Sequence, residues 1–118
     1  MHPYNLHERS ALFAKDVRIL MNKIPRTLAS FEDGKQLIRS SGSVGANYLE
    51  ANECLGYKDQ LYRFKISRKE AKESAYWLQL LVTDQNTNLE KERLRLHQEA
   101  IELIKIISTI INKIGSRC

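Results

Sequence analysis

The stretch Leu96–Ile114, LHQEAIELIKIISTIINKI, carries the strongest apolar pattern in the chain. Its apolar and small residues recur at alternating steps of four and three, which places them on one face of an α-helix. Ile101, Ile104 and Ile111 widen that face into the broad apolar stripe of a helix packed in a protein core. A helix is predicted over residues 89–114, with its seam at Leu96, Ala100, Leu103, Ile107, Ile110 and Ile114.

Three segments upstream repeat this spacing and predict helices over residues 6–24, 32–55 and 59–83. Asn5 can cap the first helix, and Pro25 ends it. The predicted seams are Leu6, Ser10, Phe13, Val17, Leu20 and Ile24 in the first helix, Leu37, Ser41, Val44, Tyr48, Ala51 and Leu55 in the second, and Tyr57, Leu61, Phe64, Arg68, Ala71, Ala75, Leu78 and Val82 in the third.

The middle of the second segment, residues 40–46, is rich in Ser and Gly, which are weak helix formers. It is either a loop or a helix whose small residues let a neighbour approach closely. The apolar phase is unbroken across it, which favours the helix. The small residues Gly42, Gly45 and Ala46 are then expected to pack on the third helix near Ser67 and Ala71.

Four helices with short connections predict an all-α fold, an antiparallel up-down-up-down four-helix bundle that forms a single domain over residues 1–118. The 19 Lys and Arg exceed the 14 Asp and Glu, so the net charge is +5. Two Cys do not make a disulfide framework, and no apolar run approaches the ~18–20 residues of a membrane span. A cytoplasmic location without membrane contact is therefore expected.

Residues that usually carry catalysis or bind metals are sparse. No two of the three His stand three or four residues apart, so no metal site and no cofactor are expected. Glu50 and Glu53 could serve acid/base chemistry, but on one helix they more often pair with Arg or Lys of a neighbour. Cys54 is expected to be a half-buried structural thiol. We predict that the protein is not an enzyme.

Positive charge concentrates in residues 58–72, where six basic residues face two acidic ones. At about 100° per residue, four lysines and Tyr76 share one stripe roughly a third of a turn from the predicted core. A row of cations suits a phosphate backbone, while the alternative is a solvated helix face. The candidate nucleic-acid-binding residues are Lys58, Lys65, Arg68, Lys69 and Lys72.

The same helix carries apolar residues opposite its predicted seam. A monomeric bundle is expected to leave Ile66 and Trp77 exposed, and an outer apolar patch usually marks an interface. The simplest partner is another copy of the chain. The candidate oligomer-interface residues are Tyr62, Ile66, Trp77 and Leu80.

Two blocks, SVGANYLEA at residues 43–51 and KEAKESAYWLQLL at residues 69–81, resemble a known bacterial family of four-helix bundles. The family includes proteins encoded in intervening sequences of large-subunit ribosomal RNA genes. It is related to the accessory variability determinant of diversity-generating retroelements. The resemblance extends from about Asn5 to Ile114 and implies a ring-like homopentamer. For the retroelement relative it also implies a basic surface that binds nucleic acid and a reverse transcriptase.

One position departs from the family pattern, since the motif often has Arg after Tyr48 and this chain has Leu49. That change removes one basic group from the second helix and weakens the case for nucleic-acid binding. The combined expectation is a non-enzymatic homo-oligomer whose basic surface contacts RNA or DNA, with a reverse transcriptase or another protein as a further partner. The alternative is a protein–protein adaptor with no nucleic-acid role.

Overall fold

A computed structural model describes residues 5–116 of the chain. It contains four helices, α1 (Leu6–Lys23), α2 (Leu28–Glu53), α3 (Tyr57–Leu80) and α4 (Thr87–Gly115), and no strand within the described residues. Each helix packs on its two neighbours, while within the described residues the backbones of the diagonal pairs, α1 with α3 and α2 with α4, do not approach closely. Consecutive helices joined by short connections therefore stand at the corners of a four-helix bundle, as predicted.

Polar caps set where three of the helices begin. The Asn5 side chain accepts a hydrogen bond from the Glu8 N–H at 2.7 Å, and Asn86 accepts one from the Leu89 N–H at 3.0 Å. Thr27 and Ser30 form a reciprocal capping box, which starts α2 at Leu28. The sequence-based start at residue 32 is therefore too late, because Ser stands where the usual capping box has Glu or Gln.

The ends of α2 and α3 lie earlier than the apolar spacing predicted. α2 ends at Glu53 and α3 ends at Leu80, so the expected ends at residues 55 and 83 are wrong. The seam assignments of Leu55 and Val82 fail with them, because the helical phase does not hold beyond a helix end, and these residues are 105% and 71% exposed. Tyr57 is the first residue of α3 and is 50% exposed, so its seam assignment is wrong as well.

The predicted seams of all four helices contribute to the core, and those of α1 and α4 are the most completely buried. All six seam residues of α1 are buried, and in α4 only Ile110 is half-buried. Leu81 is buried in place of Val82, since the chain is extended after α3 and successive side chains point to opposite sides. The large apolar side chains that are at most 3% exposed are Phe13, Val17, Leu20, Leu37, Val44, Phe64, Leu78, Leu96, Leu103 and Ile107.

Buried serines line the contact between α2 and α3. The hydroxyls of Ser40 and Ser74 are 2.8 Å apart, and Ser67 donates to the Val44 carbonyl at 2.7 Å. Because these side chains are small, the two helices approach closely. Ser67 of the third helix thus packs against the second helix, as predicted, and Ser74 does so as well.

The glycine-rich middle of α2 is helical throughout, as predicted. Its glycines, however, face α1. A Cβ added to Gly45 would lie 2.9 Å from Ser10 Oγ, and one added to Gly42 would lie 3.3 Å from Arg18 Nη2. Val44 faces α3, and Gly45 follows about 100° further around the helix, which turns it towards α1.

The expectation that Gly42, Gly45 and Ala46 pack near Ser67 and Ala71 is therefore wrong. An apolar seam has a neighbouring helix on each side, and its spacing alone does not say which neighbour the flanking residues meet. None of the four helices is both long and apolar enough to cross a membrane within the described chain.

Candidate nucleic-acid interface on α3

The buried residues of α3 determine which side of the helix faces solvent. They are Phe64, Ser67, Glu70, Ala71, Ser74, Ala75 and Leu78. Lys58, Lys65, Lys69 and Lys72 lie on the other side and are all exposed. We call these four residues the lysine stripe. At about 1.5 Å per residue it extends for about 21 Å along α3.

The lysine stripe has few acidic partners within the bundle. Lys69 Nζ lies 3.9 Å from Glu73 Oε2, one turn along the helix. Within residues 5–116 the other three lysines of the stripe form no ion pair. Their charge is therefore available to an external anion.

Arg39 of α2 forms ion pairs with two acidic residues of α3, Glu70 and Glu73. Its Nη2 donates to Glu73 Oε1 at 2.9 Å, and its Nη1 lies 3.3 Å from Glu70 Oε1. The Glu70 side chain is only 10% exposed and points towards α2. Glu73 lies closer to Arg39 than to Lys69, at 2.9 Å against 3.9 Å, so its pairing with Lys69 is the weaker of the two.

Arg68 lies apart from the lysine stripe. It is half-buried between α3 and α4, and its Nη1 donates to Ser108 Oγ at 3.3 Å. Arg63 turns towards α2 and donates to Asn47 Oδ1 at 3.3 Å. Of the five residues that the sequence assigned to nucleic acid, the structure brings the four lysines together and separates Arg68 from them.

The four residues expected to form an oligomer interface do not share one exposed patch. Tyr62 and Leu80 are exposed, whereas Ile66 and Trp77 are half-buried within their own chain, and Trp77 packs against the core. The expectation that a monomer exposes Ile66 and Trp77 is wrong. The buried face of α3 extends from Phe64 to the side that carries Ser74. Trp77 therefore lies closer to the interior than the predicted seam implied.

Two tyrosines lie on the same side of α3 as the lysines. Tyr62 is 62% exposed and Tyr76 is 54% exposed. Tyr76 also makes an edge-to-face contact with Trp77, with ring centroids 5.2 Å apart. Sequence reasoning placed Tyr62 in the interface set, although its spacing of seven residues from Lys69 already puts it in line with the lysines.

A second exposed surface lies between α1 and α2, which sequence reasoning missed because it turned the glycines towards α3. It is an apolar groove of about 260 Å³, lined mainly by Ala11, Ala14, Gly42, Gly45, Ala46 and Leu49, with His7 and Ser10 at one end. Leu49, which belongs to this lining, is 47% exposed. We call this surface the α1–α2 groove.

The candidate acid/base pair does not form a site. Glu50 and Glu53 are exposed, and neither has an ion-pair partner among residues 5–116, so the expected salt bridges to a neighbouring helix are wrong. Cys54 is half-buried, as predicted, and its Sγ donates to the Glu50 carbonyl at 3.3 Å. The described part of the chain holds no cluster of metal-binding side chains.

Comparison with known proteins places this architecture among relatives. Residues 4–109 match the family model described as 23S rRNA-intervening sequence protein, a span that includes both sequence blocks at residues 43–51 and 69–81. A crystal structure from Bacteroides thetaiotaomicron, described as a protein with unknown function from the S23 ribosomal protein family, is 28% identical, with a TM-score of 0.77. The likeness covers 91% of this chain and 98% of that one. No curated protein sequence matches the chain.

Proposed function

The chain belongs to the 23S rRNA-intervening sequence protein family, and we propose that it is a non-enzymatic protein that binds RNA through the lysine stripe of α3. One observation carries this proposal. Lys58, Lys65 and Lys72 are exposed on one side of one helix and have no ion-pair partner within residues 5–116. An extended polyanion is the chemical partner that a straight row of unpaired cations fits best.

Lysine ammonium groups bind phosphates without reading bases, so the expected binding has little sequence preference. It also releases the counterions of each neutralised phosphate. A site with three or four phosphate contacts should show a slope of about −2 to −4 when log affinity is plotted against log salt concentration. Phosphates of DNA offer the same contacts, so a DNA probe belongs in the same experiment.

The test is fluorescence anisotropy with labelled RNA over a range of salt concentrations. Replacing Lys65, Lys69 and Lys72 together with Gln should lower affinity for all sequences and reduce the salt slope by about 2 to 3. The matched control replaces three exposed lysines elsewhere, which have no ion pair in the described chain. These are Lys15, Lys91 and Lys113.

The control triple removes the same total charge and should change affinity much less. Equal effects of the two triples would show a general charge effect and contradict a site on α3. If the unmodified protein binds neither RNA nor DNA at low salt, the lysine stripe is a solvated face, and the protein–protein adaptor becomes the better proposal.

Self-association is the second part of the proposal. An interface built on Tyr62 and Leu80 would also enclose Lys69, and removing a weakly paired ammonium from water is costly. The α1–α2 groove has no such obstacle, because its lining is small and apolar and admits a close approach. We propose that copies of the chain associate through this groove, with five subunits expected from the family resemblance.

A further inference from the structure

We infer that the α3 surface selects unpaired RNA over duplex RNA, because Tyr62 and Tyr76 add base-stacking positions to the lysine stripe. This inference rests on the proposed function and adds the class of RNA that the site takes. It depends on the placement of the two rings relative to the lysines, on their exposure, and on what each type of RNA presents to them.

The rings and the cations alternate along one line of α3. Tyr62, Lys69 and Tyr76 are seven residues apart, so they occupy the same angular position, with a rise of about 10.5 Å between them. Lys65 and Lys72 lie between them on the side of the stripe. A strand that follows this line meets an aromatic ring, then cations, then a second ring.

Both rings are presented to solvent, at 62% exposure for Tyr62 and 54% for Tyr76. Tyr76 is also held in place, because it contacts Trp77 edge-to-face at an interplanar angle of 66°. Trp77 in turn packs against the core. A ring supported in this way loses little freedom when a base stacks on it.

The position of Lys69 argues against a second copy of the chain as the occupant. Any surface that covered both tyrosines would cover Lys69 between them, and its one ion pair, with Glu73, is 3.9 Å long and already shared with Arg39. A partner must therefore supply negative charge and planar apolar groups within the same few ångströms. Nucleic acid with unstacked bases supplies both.

Duplex and unpaired RNA both supply negative charge, but they differ in whether their planar bases are accessible to an outside ring. The phosphates of a duplex are accessible to lysines, but its bases are stacked on each other and hidden from an outside ring. Unpaired bases can stack on tyrosine, and such stacking contributes about fivefold or more in affinity for each base. The lysines should bind both forms, whereas the tyrosines should favour only the unpaired one.

The experiment compares a short single-stranded RNA with a duplex of the same length by fluorescence anisotropy at one salt concentration. Replacing Tyr62 and Tyr76 together with Ala should lower affinity for the single strand by about 25-fold or more and leave duplex binding unchanged. Replacing both with Phe keeps the rings and should preserve the preference. The triple change of Lys65, Lys69 and Lys72 to Gln should weaken both probes.

Trp77 provides a readout that does not depend on affinity, since it is the only Trp in the chain and touches Tyr76. Saturation with single-stranded RNA should change its emission, and duplex RNA should not. Tyr76→Ala should abolish the change, whereas Tyr62→Ala should retain most of it. Circular dichroism and light scattering on each variant establish that the fold and the assembly are intact.

Two results would overturn the inference while leaving the proposed function in place. Either the Ala double variant binds both probes as the parent does, or it loses both equally while the lysine triple still weakens binding. A change of assembly state in the Ala double variant would also overturn it, because the tyrosines would then belong to a subunit interface. Absence of binding to either probe would instead refute the proposed function itself.

Discussion

Ser40 on α2 and Ser74 on α3 share a hydrogen bond of 2.8 Å between their side-chain oxygens, at a fully buried point of the helix contact. Ser74 also donates to the Glu70 carbonyl of its own helix at 2.9 Å. Together with the hydrogen bond from Ser67 to the Val44 carbonyl, this contact fixes the position of α3 along α2. The close approach of these helices therefore depends on small hydroxyls rather than on large apolar side chains.

Replacing Ser40 or Ser74 with Ala should each lower the free energy of unfolding by about 1 kcal/mol. The double variant should lose less unfolding free energy than the two single variants together. The difference should be about 0.5–1.5 kcal/mol, because the first change already removes the shared hydrogen bond. Urea unfolding measures all of these values. Ser43→Ala combined with Ser74→Ala is the control and should be additive, and additivity of the Ser40 and Ser74 pair would contradict the structure.

Gly45→Leu should destabilise the bundle by about 1–3 kcal/mol by overpacking the contact between α2 and α1. The reason is that even a Cβ at this position would approach Ser10 Oγ to 2.9 Å. Gly115→Leu is the matched control, since nothing lies within 4 Å of a Cβ built there. Thermal unfolding followed by circular dichroism compares the two. Equal stability of both variants would mean that the approach of α1 to Gly45 is looser than described.

The stability of the link between α3 and α4 should depend on pH. Arg93 and Thr83 donate hydrogen bonds to Glu90 and lower the pKa of its carboxyl from 4.5 to about 2. Because the folded pKa lies below the unfolded one, this stabilisation is present above about pH 4.5 and is lost as the pH falls towards 2. The melting temperature should decline across that range.

Glu90→Gln should lower the melting temperature at neutral pH and make its decline between pH 4.5 and 2 shallower. Melts recorded at several pH values provide the measurement. A decline as steep in the variant as in the parent protein would show that other carboxylates account for the acid sensitivity.

Arg39→Ala should lower the free energy of unfolding by about 1–2 kcal/mol, since it leaves the buried Glu70 carboxylate without its partner. The loss should be no larger, because the Arg39 side chain is half exposed and its ion pair is screened by solvent. Combining it with Glu70→Gln should recover part of that loss, because a neutral amide is less costly to bury. The Arg39 variant should also bind RNA more weakly, since Glu73 is then left to pair with Lys69. Urea unfolding and anisotropy test the two effects separately, and unchanged RNA affinity would contradict the electrostatic link.

Assembly should depend on the α1–α2 groove. Ala46→Glu with Leu49→Glu places two charges at the groove and should give smaller species by light scattering, with the helical circular dichroism signal retained. Leu94→Glu, at another exposed leucine on α4, is the control and should leave the assembly unchanged. If Tyr62→Ser with Leu80→Ser dissociates the oligomer instead, the interface lies on α3, as the sequence pattern suggested.

The helical phase made much of this molecule predictable from its sequence. The seams of α1 and α4 and the four lysines of the stripe all follow from a period of 3.6 residues, because each depends only on position within one helix. Leu55 and Val82 were misassigned because the period says nothing about where a helix stops.

The remaining errors concern contacts between helices. The pairing of Arg68 with Ser108 and of Arg39 with Glu73 depends on which helices become neighbours and how each is rotated. The predicted seam of the third helix placed Trp77 on the outer side, whereas the buried serines turn the buried face of α3 towards α2. Side chains as small as Ser give a weak apolar signal, so this rotation could not be read from hydropathy.

The division of α3 into a serine-lined inner side and a lysine- and tyrosine-bearing outer side separates two kinds of evolutionary constraint. Lys58, Lys65, Lys69 and Lys72 are exposed and belong to no core contact, so changes at these positions leave the bundle able to fold. The relative from Bacteroides thetaiotaomicron keeps the architecture at 28% identity. One bundle architecture is therefore compatible with sequence change of this extent, and the exposed residues of α3 are positions where a change costs the fold little.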